Sequence, residues 1–198
     1  MAMAAPKTKT YTAEEYLELE IASEVRSEFR DGEIVEMTGG TPEHNEISGS
    51  LLMLLKLALR GKPYRVFVTD QRLWIPEKNL YTYPDVMVTA NPLELQAGRK
   101  DTVMNPIFLA EVLSESTQGY DRGDKFSAYQ TIASFKEYLL INQSQPRVEQ
   151  YVRQEANKWL LTVYDGQEAK VGLASVPVEV GLAELYENLE FGEALGNA

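Results

Sequence analysis

The sequence contains no cysteine and only one histidine, His44. The absence of cysteine excludes disulfides, thiolate zinc sites and cysteine nucleophiles. A single histidine also excludes a metal site built from several imidazoles within one chain. What remains for a metal ion is oxygen ligands, which suit magnesium or manganese.

Long apolar runs and a secretory signal are missing as well. No segment approaches the roughly 18 apolar residues that span a bilayer, so we expect a soluble protein without a membrane partner. The first residues lack the apolar core of a signal peptide, and we interpret 1–10 as a disordered leader of a cytoplasmic protein. Residues 11–198 are long enough for a single domain with a full hydrophobic core.

Positive charge is scarce, because 19 Lys and Arg residues face 30 Asp and Glu residues and give a net charge of −11. This balance argues against a nucleic-acid ligand, since proteins bind the phosphate backbone largely through lysine and arginine. The segment 179–198, with five glutamates and no basic residue, accounts for only part of the excess. The basic residues form three small clusters, which are Arg60 with Lys62 and Arg65, Arg99 with Lys100, and Arg122 with Lys125.

The first third of the chain predicts two helices and a hairpin. A capping box at Thr12-Ala13-Glu14-Glu15 opens a short helix over 13–20, whose apolar side would include Leu19. Asp31-Gly32 lies between two short segments of strand character, which is a strong hairpin signal. Apolar residues at helical spacing predict a long helix over 43–59.

The rest of the chain predicts strands interrupted by two helices. The expected strands are 64–75, 82–88, 106–113, 137–141, 147–152 and 158–164, and the expected helices are 121–133 and 182–189. Residues 91–105 have the composition of a polar loop with at most one helical turn. The strand–helix–strand order over 106–141 predicts a parallel crossover.

Two carboxylates lie in the predicted buried strands. Asp85 follows Pro84 at the start of one strand, and Glu111 interrupts the apolar run of another. A buried carboxylate without a partner costs several kcal/mol, so Glu111 must be paired, protonated or bound to a cation. Asp121, Lys125 and Tyr129 follow at a spacing of four, which places them on one helix face. Two acids and a lysine are the residues of a metal-dependent phosphodiesterase.

Each candidate also has an ordinary structural explanation. Asp85 after a proline is a common turn residue, and Lys125 would form an exposed i, i+4 ion pair with Asp121. His44 near a helix start is a typical capping or surface residue, and Glu28 a typical solvated hairpin residue. Only the buried Glu111 has no such simple explanation.

The order of several short motifs resembles the Uma-two family of restriction-endonuclease-like proteins, a branch of the PD-(D/E)XK nuclease superfamily. The motifs are Tyr11-Thr12-Ala13-Glu14-Glu15-Tyr16, Glu28 before Asp31-Gly32-Glu33, Pro42 with His44, Pro84-Asp85, Glu111-Val112-Leu113-Ser114, Ser116-Thr117, Asp121, Lys125 and Tyr129. The resemblance implies an α/β (α+β) fold, with a restriction-endonuclease-like central mixed β-sheet flanked by helices and an N-terminal helix and hairpin.

The resemblance also implies a magnesium-dependent (or manganese-dependent) endonuclease that cleaves DNA. It would make Asp85, Glu111 and the backbone carbonyl of Val112 the metal ligands, and Lys125 the catalytic lysine. Glu28 or His44 would complete a second metal position or contact the phosphate, and proteins of this class are commonly homodimers. Asp121 and Tyr129 are possible additional site residues.

One position departs from the superfamily pattern. The usual motif places the lysine two residues after the second acid, and here that position is Leu113. The resemblance implies that the lysine has migrated to Lys125 on the following helix. Two alternatives stay open, which are an inactive binding or regulatory module that keeps the fold, and a nuclease acting on RNA or small nucleotides.

Overall fold

The computed structural model describes residues 9–191, which form a mixed α+β fold. This confirms the predicted fold class. The disordered leader expected over 1–10 lies almost entirely outside the described residues. Within 9–191, no helix is long and apolar enough to cross a membrane.

Within residues 9–191 the fold has five α-helices, two other helical turns and thirteen strands. The α-helices are α1 (Ala13–Ala22), α2 (Pro42–Ala58), α3 (Gln118–Tyr120), α4 (Phe126–Tyr129) and α5 (Leu182–Leu185), with a π-helical turn at Asp121–Lys125 and a 3-10 turn at Pro76–Lys78. The strands are β1 (Ser27–Arg30), β2 (Glu33–Glu36), β3 (Tyr64–Val68), β4 (Arg72–Ile75), β5 (Leu80–Thr82), β6 (Val86–Ala90), β7 (Thr102–Val103), β8 (Pro106–Leu113), β9 (Glu137–Asn142), β10 (Arg147–Glu155), β11 (Lys158–Asp165), β12 (Lys170–Gly172) and β13 (Glu179–Gly181).

The central sheet has six strands in the order β11-β10-β9-β8-β6-β3. Strands β8 and β9 are parallel, as the strand–helix–strand pattern predicted, and the other neighbours are antiparallel. A second sheet of five strands has the order β2-β1-β5-β4-β7, and β12 pairs with β13 in a small third sheet. The Asp31-Gly32 hairpin forms as predicted, with positive φ angles of 44° and 101°.

Two predicted strands are each divided between the two larger sheets. The segment 64–75 breaks at Thr69, whose φ is 27°, into β3 of the central sheet and β4 of the five-stranded sheet. The segment 82–88 breaks in the same way between β5 and β6, where Pro84 lacks the N–H that a continuous ladder needs. The prediction of single strands was therefore wrong, and Asp85 lies where the chain passes from one sheet to the other.

Strands β6, β8 and β9 of the central sheet are buried on both faces, which explains their nearly uninterrupted apolar sequences. One face packs against the α2 stripe of Ile47, Leu51 and Leu55 and the C-terminal elements. The other face, with Leu109 and Leu113 of β8, packs against the helical segment before β9 and part of the five-stranded sheet. Because side chains alternate along a strand, Glu111 lies on this second face.

The helices differ from the prediction in their extent. The α1 capping box is present, but Leu19 is 49% exposed. The helical segment predicted over 121–133 starts earlier, at Gln118, and ends at Tyr129. The closing helix predicted over 182–189 stops at Leu185, and the loop 91–105 contains β7 instead of a helical turn.

Candidate active site

The eight residues singled out from the sequence are linked by direct contacts in one buried cluster. The contacts join Asp85 to Val112 and His44, Glu111 to Lys125 and Tyr129, and Lys125 to Asp121 and Glu28. The five-stranded sheet, the central sheet, α2 and the helical segment 118–129 each contribute a side chain. The fold therefore brings together residues that lie up to 101 positions apart in the sequence.

Asp85 is fixed at the start of β6 by the neighbouring strand. Its Oδ2 accepts a hydrogen bond of 2.8 Å from the amide of Val112. The amide of Asp85 in turn lies 3.4 Å from Oε2 of Glu111. These two reciprocal contacts place both carboxylates side by side at the edge between the sheets.

Glu111 is 3% exposed and is paired. Its Oε1 accepts a hydrogen bond of 2.7 Å from the Tyr129 hydroxyl and lies 2.9 Å from Nζ of Lys125. Burial raises the pKa of Glu111 to about 8, with Lys125 and Tyr129 opposing the shift and the charges of Asp85 and Asp121 adding to it. The site therefore resists a second negative charge unless a cation is close.

Lys125 is the shared counter-ion of three carboxylates. Its Nζ lies 2.9 Å from Glu111, 3.4 Å from Asp121 and 3.8 Å from Glu28. Burial alone would lower the pKa of Lys125, but the three acids raise that pKa well above its ordinary value. The ammonium group is therefore charged and held inside the cluster, and not on an exposed helix face.

Glu28 reaches the cluster from β1 of the five-stranded sheet and is buried. Arg30 binds its Oε2 through Nε at 2.9 Å and Nη2 at 2.6 Å, and the Thr82 hydroxyl donates to its Oε1. Burial raises the pKa of Glu28, but Lys125, Thr82 and Arg30 together outweigh it, so the pKa is lowered. The interpretation of Glu28 as a solvated hairpin residue is wrong.

The helical segment that carries Lys125 is not a regular α-helix. Residues Asp121–Lys125 form a single π-helical turn, a feature that is frequent at functional sites. The hydroxyl of Tyr138 on β9 donates to the backbone carbonyl of Asp121 at 3.2 Å. The π turn and this bond fix the position from which Asp121 and Lys125 enter the cluster.

His44 reaches Asp85 from the other side of the sheet. It lies in the first turn of α2, where the Thr41 hydroxyl caps its backbone amide, and its Nε2 is 3.0 Å from Oδ2 of Asp85. The hydrogen bond to Asp85 raises the His44 pKa against the effect of burial. Its Nδ1 is buried and has no partner among the described residues. His44 is thus a neighbour of the two carboxylates and not a simple capping residue.

Four further residues of the cluster were not predicted. They are Arg30, Thr82, Tyr120 and Tyr138, and the ring of Tyr120 lies 3.7 Å from the Arg30 guanidinium and 5.9 Å from Nζ of Lys125. Arg30 was within reach of sequence reasoning, because it follows Glu28 by two residues on one strand face. Thr82, Tyr120 and Tyr138 belong to other elements, and no local pattern marks them.

Comparison with known protein families identifies the family of this chain. The family model Uma2, described as "Putative restriction endonuclease", matches residues 13–184. The chain belongs to the Uma2 family. The resemblance found in the sequence is confirmed.

Two proteins of Synechocystis sp. (strain ATCC 27184 / PCC 6803 / Kazusa) are similar to this Uma2 chain. The uncharacterized protein sll1609 is 42% identical over 169 residues, which is 85% of this chain and 96% of that protein. The uncharacterized protein slr1290 is 32% identical over 180 residues, which is 90% of this chain and 92% of that protein. Both alignments span nearly the whole length of the relatives.

A solved structure shares the fold. The crystal structure of "a putative nuclease belonging to DUF820" from Anabaena variabilis ATCC 29413 superposes with a TM-score of 0.71. The match covers 89% of this chain and 97% of that chain at 18% sequence identity. Family and fold are therefore those of a restriction-endonuclease-type nuclease.

The residues of this Uma2 chain fit a hydrated divalent cation better than a fully enclosed one. Among residues 9–191, no three His, Asp or Glu side chains are grouped as a metal cage. Magnesium commonly keeps several waters and binds one or two carboxylates plus substrate phosphate, all through oxygen. The adjacent Asp85 and Glu111 supply two such carboxylates. A cation bound between them would reduce the electrostatic repulsion between their negative charges.

Proposed function

We propose that this protein is a nuclease that uses Mg²⁺ or Mn²⁺ to hydrolyse phosphodiester bonds in DNA. The observation that carries the proposal is the 2.9 Å contact between Lys125 and Glu111, beside Asp85. This contact supports the migration of the catalytic lysine to position 125. Leu113, which occupies the usual lysine position, is buried in the apolar core and offers no charge to the site. The family and the fold support the reaction class.

In the proposed mechanism, Asp85 and Glu111 hold the metal ion, and Val112, whose amide already faces Asp85, adds its carbonyl oxygen. When bound, such an ion polarises the scissile phosphate and lowers the pKa of a coordinated water. Lys125 orients the attacking water and offsets negative charge as the phosphate reacts. Its three acidic neighbours keep the ammonium charged and in place.

Four neighbours have supporting roles in this proposal. Tyr129 donates to Glu111 and orients its carboxylate, and Glu28 and Asp121 position Lys125. His44 contacts Asp85 through Nε2 and orients that carboxylate. Such buried and mutually bonded groups hold a catalytic geometry without reorganisation.

Metal titration by calorimetry and plasmid nicking on the same samples test this proposal. We expect the wild type to bind Mg²⁺ or Mn²⁺ and to nick, and Glu111→Gln to do neither. Glu155→Gln is the matched control, since Glu155 is exposed and far along the chain on β10. Asp85→Ala and Lys125→Ala should also abolish nicking, and retained nicking in any of the three site variants contradicts the assignment.

An inactive binding module is the second candidate, and a specific observation favours it. The described part of the chain lacks a cluster of three metal-ligating side chains, and Lys125 already neutralises Glu111 at 2.9 Å. Under this alternative, the protein binds neither Mg²⁺ nor Mn²⁺. Metal binding without plasmid nicking would instead point to single-stranded DNA, RNA or a small nucleotide, and each is assayed in parallel.

A further inference from the structure

An open groove lies between the end of α2 and the edge strand β3. Its volume is about 400 Å³, and four basic side chains line it. We call it the basic groove and define it by Lys56, Arg60, Lys62 and Arg65. It is outside the candidate active site and contains none of its residues.

The charge of the basic groove is not neutralised by acids nearby. Residues 47–69 contain no Asp or Glu. Among residues 9–191, none of the four basic side chains forms an ion pair. In a chain with a net charge of −11, this concentration of free positive charge is exceptional.

The other two basic clusters of the sequence are at least partly compensated. Arg99 pairs with Asp101 at 2.7 Å, and Arg122 pairs with Glu149 at 2.9 Å. Lys125 is enclosed by the acids of the candidate active site, and Lys100 alone has no ion pair among residues 9–191. The basic groove is therefore the cluster in which every basic side chain lacks a carboxylate partner within the described chain.

Helix capping explains only one of the four positive charges. Lys56 lies in the last turn of α2, where a cation is favoured by the helix dipole. Arg60, Lys62 and Arg65 follow the helix, and Arg65 belongs to β3. Their like charges repel one another, and an anion bound between them would relieve that repulsion.

The position of the groove relates it to the candidate active site. Strand β3 pairs with β6, with Arg65 opposite Thr89 and Val68 opposite Val86, the residue after Asp85. Thr89 and Asp85 are four positions apart along the strand, which corresponds to about 13 Å. This equals about four nucleotides of one DNA strand at roughly 3.4 Å each.

Arg65 lies on the sheet face of the candidate active site, because it shares a strand face with Phe67, which packs with the core on the Glu111 side. Lys56 belongs to α2 on the opposite face, so the groove spans the edge of the sheet at β3. The rings of Tyr64 and Phe67 pack into the two opposite cores. They are not free platforms for base stacking, so the groove suits a phosphate backbone better than unpaired bases.

We infer that the basic groove binds the phosphate backbone of double-stranded DNA about four nucleotides from the bond at the candidate active site. The identity of the ligand rests on the proposed function. The groove would supply the affinity that the acidic surface around the carboxylates cannot.

The test is duplex binding by fluorescence anisotropy in EDTA, with a labelled 20-base-pair DNA and full-length protein across a salt series. The variant is Arg60→Gln with Arg65→Gln. The matched control is Lys158→Gln with Lys170→Gln, which removes the same charge from exposed residues that pair with Glu155 and Glu179. Each lost phosphate contact removes about 0.9 from the slope of log K against log salt.

We expect the groove variant to bind about 10- to 100-fold more weakly near 0.1 M salt, with a slope smaller by about two, and the control to match the wild type. Equal affinity in both variants, or loss only towards single-stranded DNA or RNA, overturns the inference. Groove-dependent duplex binding without plasmid nicking would refute the proposed function alone. If the wild type nicks plasmid and the groove variant binds duplex DNA as tightly as the wild type, the inference about the basic groove is refuted and the proposed function is not.

Discussion

Replacing Lys125 with alanine should destabilise the protein strongly as well as stop cleavage. The ammonium is 6% exposed and lies within 3.8 Å of Glu28, Glu111 and Asp121. Its removal leaves Glu111 and Asp121 without a cation, whereas Glu28 keeps its pair with Arg30. Breaking a buried ion pair by removing one partner costs about 3–5 kcal/mol, a large share of the usual stability of a domain.

The pH changes the size of this effect. Because the pKa of Glu111 is about 8, protonation of Glu111 relieves part of the repulsion at neutral pH. The cost near pH 7 then comes mainly from Asp121, and it should grow as the pH rises. At about 2–4 °C per kcal/mol for a chain of this size, the melting temperature should fall by roughly 6–20 °C.

Urea denaturation and thermal melting measure this prediction. Lys158→Ala is the control, because Lys158 is exposed and its ion pair with Glu155 at 3.8 Å contributes little. Adding Asp121→Asn to Lys125→Ala removes a buried acid that Lys125 had paired and should restore part of the loss. A free energy of unfolding within about 1 kcal/mol of the wild type for Lys125→Ala would refute the reasoning, since that is the range of a surface pair.

Three further predictions concern Glu111, Tyr129 and Glu137. In metal-free protein the raised pKa of Glu111 means that folding takes up a proton between pH 4.5 and about 8. The contribution of Glu111 to stability is therefore largest below its ordinary pKa of 4.5 and is lost as the pH rises through about 8, and urea titrations should show that Glu111→Gln removes most of this loss. Tyr129→Phe loses the 2.7 Å bond to Glu111, which should cost about 1–2 kcal/mol in urea denaturation and slow plasmid nicking. The Glu137 carboxylate accepts hydrogen bonds from Gln150, Ala174 and Ser175. Glu137→Gln places an NH2 group where these donors need an acceptor, which should cost about 1–3 kcal/mol of unfolding free energy. An unchanged midpoint of urea denaturation would contradict this prediction.

The sequence predicts those parts of the fold whose signals are local. The Asp31-Gly32 turn, the α1 capping box and the parallel pair β8 and β9 follow from short patterns, and all form as expected. The isolated Glu111 in an apolar strand is equally visible, because a buried acid contradicts its surroundings. These features depend on residues close together in the chain.

The division of two strands between sheets has only a weak local signal. Residues 64–69 and 73–75 are rich in β-branched and aromatic residues, and the polar run Asp70-Gln71-Arg72 between them is the one local hint of a break. Pro84 did offer a signal, since proline interrupts a ladder. The π turn at Asp121–Lys125 could not be predicted, because the spacing of four between Asp121, Lys125 and Tyr129 is also that of a regular α-helix.

The candidate site depends on contacts that local patterns do not contain. Glu28 is an ordinary hairpin residue until the five-stranded sheet brings it to Lys125, 97 positions later. The resemblance placed Glu28 in the motif order, but only the packing of the two sheets supplies the reason. Long-range assembly thus explains why the local Lys125–Asp121 pair was predictable, whereas the contacts of Lys125 with Glu28 and Glu111 were not.

The N-terminal helix takes part in holding Asp85, although it contributes no side chain to the carboxylate cluster. Tyr83, two residues before Asp85, donates through its hydroxyl to Oε1 of Glu20 on α1 at 2.8 Å, and Arg72 on β4 donates to the same hydroxyl at 2.8 Å. This buried network fixes the segment on one side of Pro84, while the amide of Val112 fixes Asp85 on the other. Since a displacement of about 1 Å can cost a site its activity, α1 belongs to the scaffold of the site and not to a separate appendage.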